Sequence, residues 1–217
     1  MSLLEKPGIS IREGRLGDLE ALYAITLATG DSGSDASRFY ADKKMMGHIY
    51  SAPYLLMAGG FCFVAEDQYG VCGYVVGTLD TLSFAGELEE HWWPDLRRRY
   101  AEPDRERRDR WTADERRAFM FHHPELPPDP VLKHFPAHLH MNLLTRARGH
   151  GLGRQLLEKA LCHLSEQGGL HVHVGAGKTN RCGLAFWKAC GFASLSCALA
   201  LPDGGRTEWL GRPVSVC

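Results

Sequence analysis

The stretch Arg146 to Leu157, "RARGHGLGRQLL", crowds Gly149, Gly151 and Gly153 into five positions and then stops using glycine. From there Leu152, Leu156, Leu157, Ala160, Leu161 and Leu164 recur at helical spacing, so a helix is expected. The residues before it, "HLHMNLL", have strand character. A strand, three close glycines and a helix bring backbone N–H groups and the positive end of a helix dipole together, which suits an anion. Glycine is expected there because a phosphate must approach the main chain without meeting a Cβ.

Spacing decides which phosphate ligand. The dinucleotide pattern GxGxxG fails, since Leu156 lies three residues after Gly151-x-Gly153 and Arg154 three after Gly149-x-Gly151. Downstream, "GAGKT" invites a P-loop through Gly177-Lys178-Thr179, but the first glycine of that motif would fall on Val172. Neither reading survives.

Around this core the chain is an ordinary globular one, 217 residues with 44% hydrophobic content. With 25 Lys+Arg against 26 Asp+Glu there is no global field to steer it onto nucleic acid or an anionic membrane, and neither is expected as a partner. Seven cysteines, none spaced as CxxC, fit a reducing cytoplasm. No run has the apolar length of a membrane span, and "MSLLEKPG" lacks the basic start and apolar core of a signal peptide. The expected location is cytoplasmic.

Further elements follow from periodicity. Ile9 and Ile11 alternate as in a strand, and Leu19, Leu22 and Ile25 then take helical spacing. Gly30 to Leu56 reads as loop plus helix. The β-rich runs Phe61 to Ala65 and Val71 to Leu79 flank a short turn and form an antiparallel hairpin. Asp80 to Pro136 is charged, interrupted by prolines and poor in β-branched residues, a helical insertion closing on a Pro-rich connector. Its arginines are interleaved with Glu102, Asp104, Glu106, Asp109, Asp114 and Glu115, so a solvated, ion-paired face is expected. "LHVHVG" is a strand, "NRCGLAFWKACGF" a helix closed by Gly191, and "ASLSCALALPDGGRTEWL" two strands joined at Asp203-Gly204-Gly205. No repeat or linker interrupts this order, so residues 1–217 are read as one domain with one insertion at about 80–136.

Arg148-x-x-Gly151-x-Gly153 resembles the acetyl-CoA signature of the GCN5-related N-acetyltransferase superfamily. The element order matches that family, and so does a later motif, Asn180 followed eleven and twelve residues on by Gly191 and Phe192. The insertion resembles a narrower branch, bacterial acetyltransferases similar to the acetyltransferase-like domain of some O-GlcNAcases. The resemblance implies an α/β (α+β) fold, with a mixed central sheet of six or seven strands flanked by helices and a helical insertion between the third and fourth strands.

It also implies acetyl-CoA as co-substrate and transfer to a primary amine by direct attack in a ternary complex. Carried over residue by residue, it puts Leu143, Leu144 and Thr145 beside the acyl end. Arg148, Gly149, His150, Gly151, Leu152, Gly153 and Arg154 surround the pyrophosphate. Asn180 falls near the pantetheine, and Phe186 joins the coenzyme-binding set. Period-two geometry places His138, His140 and Asn142 on one face of their strand and Leu139, Met141 and Leu143 on the other. His140 is the first candidate for the base that takes the amine proton, ahead of His138, with Asn142 beside them. The family's tyrosine acid falls on Trp187, whose indole has no useful proton to give, so a noncatalytic domain binding acyl-CoA or a protein partner is the competing reading.

Two His-x-His pairs, His138/His140 and His171/His173, raise zinc, but no cysteine or carboxylate completes a ligand spacing and no metal is expected. The acceptor is read as a small amine or peptide. Trp92, Trp93, Trp111, His122 and His123 either line its pocket or form the insertion's own small core, the latter being expected. Unpaired edge strands in this fold often pair between subunits, which makes a homodimer possible.

Overall fold

In the computed structural model, which describes residues 8–201 and 204–214, the first alternating run forms β1 (Ser10–Glu13) and leads into α1 (Leu19–Ala28) with Leu22 and Ile25 buried. Met1 to Pro7, read for a signal peptide, lie outside the described residues. The loop-plus-helix segment holds two short helices, α2 (Gly47–Tyr50) and α3 (Ala52–Leu56), the second opened by Pro53, whose fixed φ suits a first turn. The hairpin is β2 (Gly60–Asp67) and β3 (Gly70–Thr78), paired antiparallel, and its turn uses Gly70 at φ +98°, where a side chain would be strained.

Four helices fill the stretch between β3 and the strand before the glycines: α4 (Thr81–His91), α5 (Trp93–Arg99), α6 (Ala113–His122) and α7 (Asp129–His134). Their starts are chemically specified. Asp80 accepts from the Ser83 N–H at 2.7 Å, and Thr112 and Glu115 form a reciprocal capping box. Trp93 stacks on Phe121 with ring centres 6.0 Å apart and Trp111 packs on Phe119, but the expected separate core of the insertion is not formed. Trp93 and Phe121 are buried in one cluster with Leu22, Ile25, Tyr74 and Val76, because the insertion helices pack on the sheet face beside α1. His122 bonds the Tyr100 carbonyl and His123 bonds Glu102. Arg97, Arg98 and Arg105 pair with Glu89, Asp95 and Glu102. Asp114 instead accepts the N–H groups of Ala41 and Asp42, tying α6 to the loop after α1.

The chain continues through β4 (Ala137–Leu143), α8 (Leu152–Glu166), β5 (His171–Gly177), α9 (Arg181–Ala189), β6 (Ala193–Ser194) and β7 (Thr207–Pro213). Gly191 closes α9 at φ +84°. The strands form one seven-stranded mixed sheet in the order β1-β2-β3-β4-β5-β7-β6, in which only β4 and β5 are parallel. One expectation fails. The last two strands are not joined directly at Asp203-Gly204-Gly205, because β6 stops at Ser194 and a helical turn follows, the Leu199 N–H reaching the Leu195 carbonyl. Asp203 itself lies outside the described residues.

Strand alternation sends Phe63, Val75 and Leu139 to one face and Val64, Tyr74 and Val76 to the other. The first face is covered by α8, whose Leu152, Leu156, Leu157, Ala160, Leu161 and Leu164 are all buried, each leucine stabilising by about 1.5–3 kcal/mol. The second face carries α1 and the insertion helices. Between these layers the sheet is incomplete. Pairing of β4 with β5 is confined to Ala137 opposite Val172 and His138 opposite His173, whereas β5 runs beside β7 for its full length. The two parallel strands diverge beyond that point, and the gap opens toward the start of α8.

Candidate functional site

The gap exposes one edge of β4. Leu144 donates its N–H to the Cys72 carbonyl at 2.9 Å, and antiparallel hydrogen bonding alternates, so His140, Asn142 and Leu144 turn their main-chain groups to β3. Met141 and Leu143 therefore turn theirs to the gap. The Leu143 carbonyl is already taken by Arg148 Nε at 2.9 Å. Among the residues predicted for the acyl end, Leu144 thus has its N–H engaged elsewhere, and Met141, which the sequence pattern placed only on the strand face opposite the histidines, brings main-chain groups to the opening.

After β4 the chain makes a 3-10 turn over Thr145–Ala147, and Gly149 and Gly151 both adopt positive φ, +81° and +77°. Gly151 is the left-handed N-cap of α8. Among the described residues no protein acceptor is bonded by the N–H groups of Gly151, Leu152 or Gly153. They form a cradle of unused donors at the positive end of a fifteen-residue helix. Within the protein itself the glycines answer two further demands. A Cβ on Gly151 would meet no protein atom nearer than Gln155 Nε2 at 4.0 Å, so the protein's own demand there is the left-handed backbone; a Cβ on Gly153 would lie 3.1 Å from Phe186, so the demand there is helix packing.

The other coenzyme candidates divide the same way. Thr145, Gly149 and His150 are exposed on the loop, while Leu152 is buried in the core. Arg148 also bonds the Gly33 carbonyl through Nη2 at 2.7 Å, and Arg154 reaches the Ala189 carbonyl at 3.2 Å. Arg148 thus braces the loop and Arg154 ties the first turn of α8 to the end of α9, each with some of its donors. Asn180 caps α9, accepting the Gly183 N–H at 2.9 Å. Phe186 packs against Gly153 and lies 5.2 Å from Trp187, and Trp187 is itself buried 5.0 Å from Phe192. The residue at the family's tyrosine position is thus part of the core.

On the opposite face of β4 the three polar candidates separate into distinct roles. Asn142 donates to Thr29 Oγ1 at 2.5 Å and accepts from Tyr74 at 3.1 Å, which makes it a tie between β4, α1 and β3. His138 sits in a relay whose proton positions follow from the donor inventory. Thr81 gives its one hydroxyl proton to the Pro136 carbonyl at 2.6 Å, so it must accept from His138 Nδ1 at 2.8 Å. His138 Nε2 is then bare and accepts from the Tyr54 hydroxyl at 2.7 Å. Burial, with the neighbouring His140 and His173, holds the His138 pKa well below the usual value. Both of its nitrogens are committed.

His140 is different. Its ring meets the edges of Tyr50 and Tyr54, each 5.6 Å away, and it hydrogen-bonds no described residue. No buried polar side-chain atom among the described residues lacks a partner, so the His140 nitrogens lie open to solvent. Burial of the ring, then the nearby His173, lowers its pKa to about 4. It is a neutral acceptor at physiological pH. His173, 1% exposed and lowered to about 4 by burial, gives Nδ1–H to the Phe135 carbonyl at 2.6 Å, while His171, two residues earlier on the same strand, is exposed with its ring 5.5 Å from that of Phe135. The described residues contain no group of three or more His, Cys, Asp or Glu side chains placed to hold a metal, and no helix long and apolar enough to cross a membrane.

Comparison with known proteins bears on this geometry. No family model matches the chain. The crystal structure of SsHAT is 32% identical and superimposes with a TM-score of 0.83, covering 96% of this chain and 100% of that one. An acetyltransferase of the GNAT family from Staphylococcus aureus Mu50 superimposes at 0.54 with 14% identity, over 96% of this chain and 100% of that one. The PaiA N-acetyltransferase of Thermoplasma acidophilum, solved with coenzyme A, does so at 0.52 with 13% identity, over 95% and 99%. Among curated proteins, the O-GlcNAcase of Rattus norvegicus is 24% identical over 152 residues, which are 70% of this chain and 16% of that protein. The chain thus spans under a fifth of the length of the curated relatives it matches.

Proposed function

The chain belongs to the GCN5-related N-acetyltransferase superfamily, and from that premise we propose that it moves the acetyl group of acetyl-CoA to a primary amine by direct attack in a ternary complex. The observation that carries this reading is the opening of β4 away from β5, directly onto three unused N–H groups at the start of α8. Those groups and the helix dipole suit the pyrophosphate, and Met141, on the free edge of β4, suits the pantetheine amides. Leu143 and Thr145 flank the acyl end, Arg148 braces the loop, Arg154 ties α8 to the end of α9, and Asn180, Phe186 and Trp187 support the site from α9.

Bound acetyl-CoA supplies an activated acyl carbon and a thiolate that leaves readily. His140 accepts the amine proton, directly or through water, and because its pKa lies near 4 it does so only as the C–N bond forms and the nitrogen turns acidic. One C–N bond replaces the C–S bond, and the proton taken from the amine passes to the departing sulfur or to solvent. No general acid is needed beyond this. Tyr54 and Tyr74 have their hydroxyls engaged with His138, Asn142 and Thr26, and burial raises both pKa values.

A noncatalytic domain that binds acyl-CoA or a protein partner is the second reading, favoured by the buried Trp187 in place of a tyrosine. Calorimetric titration with acetyl-CoA, coenzyme A and adenosine 3′,5′-bisphosphate, followed by an amine screen, separates the two. Binding that requires the pyrophosphate, with turnover on an amine, supports the enzyme. Binding with no turnover on any amine supports the second reading, and no binding to folded protein removes the coenzyme site.

A further inference from the structure

Arg117, on α6, is a half-buried guanidinium with no carboxylate partner among the described residues. Its Nε donates to the Tyr40 hydroxyl at 3.1 Å, and its Nη1 to the Tyr50 hydroxyl at 3.0 Å and to Met120 Sδ at 3.1 Å. A phenol oxygen that accepts from an arginine keeps its own proton, and neither tyrosine gives that proton to a described acceptor. Nη2 likewise bonds nothing described, and since no sealed polar side-chain atom is unsatisfied, it is open to solvent. The cluster offers donors and positive charge only. Nearby Arg97, Arg98 and Arg105 each have a carboxylate. Holding a cation partly out of water with no counter-charge is costly, whereas a guanidinium fork beside a phenol proton matches a planar oxyanion.

Tyr50 links this cluster to the base. The guanidinium carbon lies 5.3 Å from the centre of the Tyr50 ring, and the His140 ring centre lies 5.6 Å beyond it, so Arg117 and His140 are no more than about 11 Å apart. An oxyanion on Arg117 and an amine at His140 fit within one short molecule. We propose that Arg117 and Tyr50, with Tyr40 fixing the guanidinium, form a carboxylate subsite, and that the acceptor is an amine carrying a carboxylate a few bonds away, an amino acid. This rests on the acetyltransferase reading and names its substrate class.

The test compares glycine, β-alanine and γ-aminobutyrate with their primary amides as acetyl acceptors, and titrates the corresponding N-acetylated acids and amides as binding probes. Wild-type protein is expected to favour the acid of the best chain length by about tenfold or more in kcat/KM, the scale of one charge-assisted contact. Arg117→Gln brings acid and amide to parity by lowering the acid alone, and Arg117→Lys, which keeps charge without the fork, falls between. Tyr50→Phe keeps the ring and removes one donor, so it shows a smaller loss on the same acid even if Arg117→Gln does not fold. Equal use of acids and amides by wild-type protein, or a preference that survives Arg117→Gln, overturns the subsite. Should no amine be acetylated while N-acetylated acids still bind in an Arg117-dependent way, the subsite stands and the transferase reading falls.

Discussion

Replacing Gly151 by alanine tests why the loop before α8 needs glycine. At φ +77° a non-glycine residue is strained by about 1–2 kcal/mol, while the new methyl would meet no atom nearer than Gln155 Nε2 at 4.0 Å, so strain is the whole effect. In a chain of this length that energy lowers the melting temperature by about 2–8 °C. If the free protein escapes the strain by relaxing the loop, the same energy reappears as acetyl-CoA affinity weakened about five- to thirtyfold. Asparagine tolerates the left-handed region, so Gly151→Asn should recover most of both losses. Differential scanning calorimetry and acetyl-CoA titration of the two variants give the readout. Alanine with wild-type stability and affinity refutes the reasoning outright. An asparagine that restores stability but binds as poorly as alanine would show that the missing Cβ serves the phosphate, the reason first read from the sequence.

Three more outcomes are expected. His140→Gln lowers kcat at saturating acetyl-CoA with little change in coenzyme affinity, and the acid limb of wild-type kcat lies near pH 4; a limb near 6.5 would show that the base is an ordinary histidine or lies elsewhere. Tyr54→Phe keeps the ring stacked 4.8 Å from Phe84 but leaves His138 Nε2 without its donor, costing about 1–3 kcal/mol in urea unfolding, and an unchanged midpoint would contradict the proton relay. Burial keeps His48 and His173 neutral down to about pH 4, yet each titrates near 6.5 once unfolded. Between those values the unfolded chain binds more protons, so stability falls as pH drops from 6.5 toward 4, by about 1.4 kcal/mol per pH unit per histidine, and is flat above. Urea midpoints that are equal at pH 5 and pH 7 would count against this.

Some of this molecule is legible along the chain. The six apolar residues predicted to face inward from α8 are the six that are buried, because a helix repeats its face every 3–4 residues and the core reads that period directly. The hairpin around Gly70, the C-cap at Gly191 and the two faces of β4 follow from equally local rules. The final strand pair departs from the expectation because one helical turn, from Leu195 to Leu199, interrupts the run after β6.

Function depends on contacts of another range. Which histidine is available depends on Tyr54 reaching His138 across 84 residues and on Thr81 spending its only proton on Pro136, leaving His140 as the uncommitted ring. Asn142 is removed from the candidates by Thr29, 113 residues away. The gap between β4 and β5, the free edge of Met141 and the meeting of Arg117 with Tyr40 and Tyr50 exist only once distant segments pack. Periodicity along a chain states which side a residue faces; hydrogen bonds, which saturate one donor with one acceptor in three dimensions, decide what that residue has left to do.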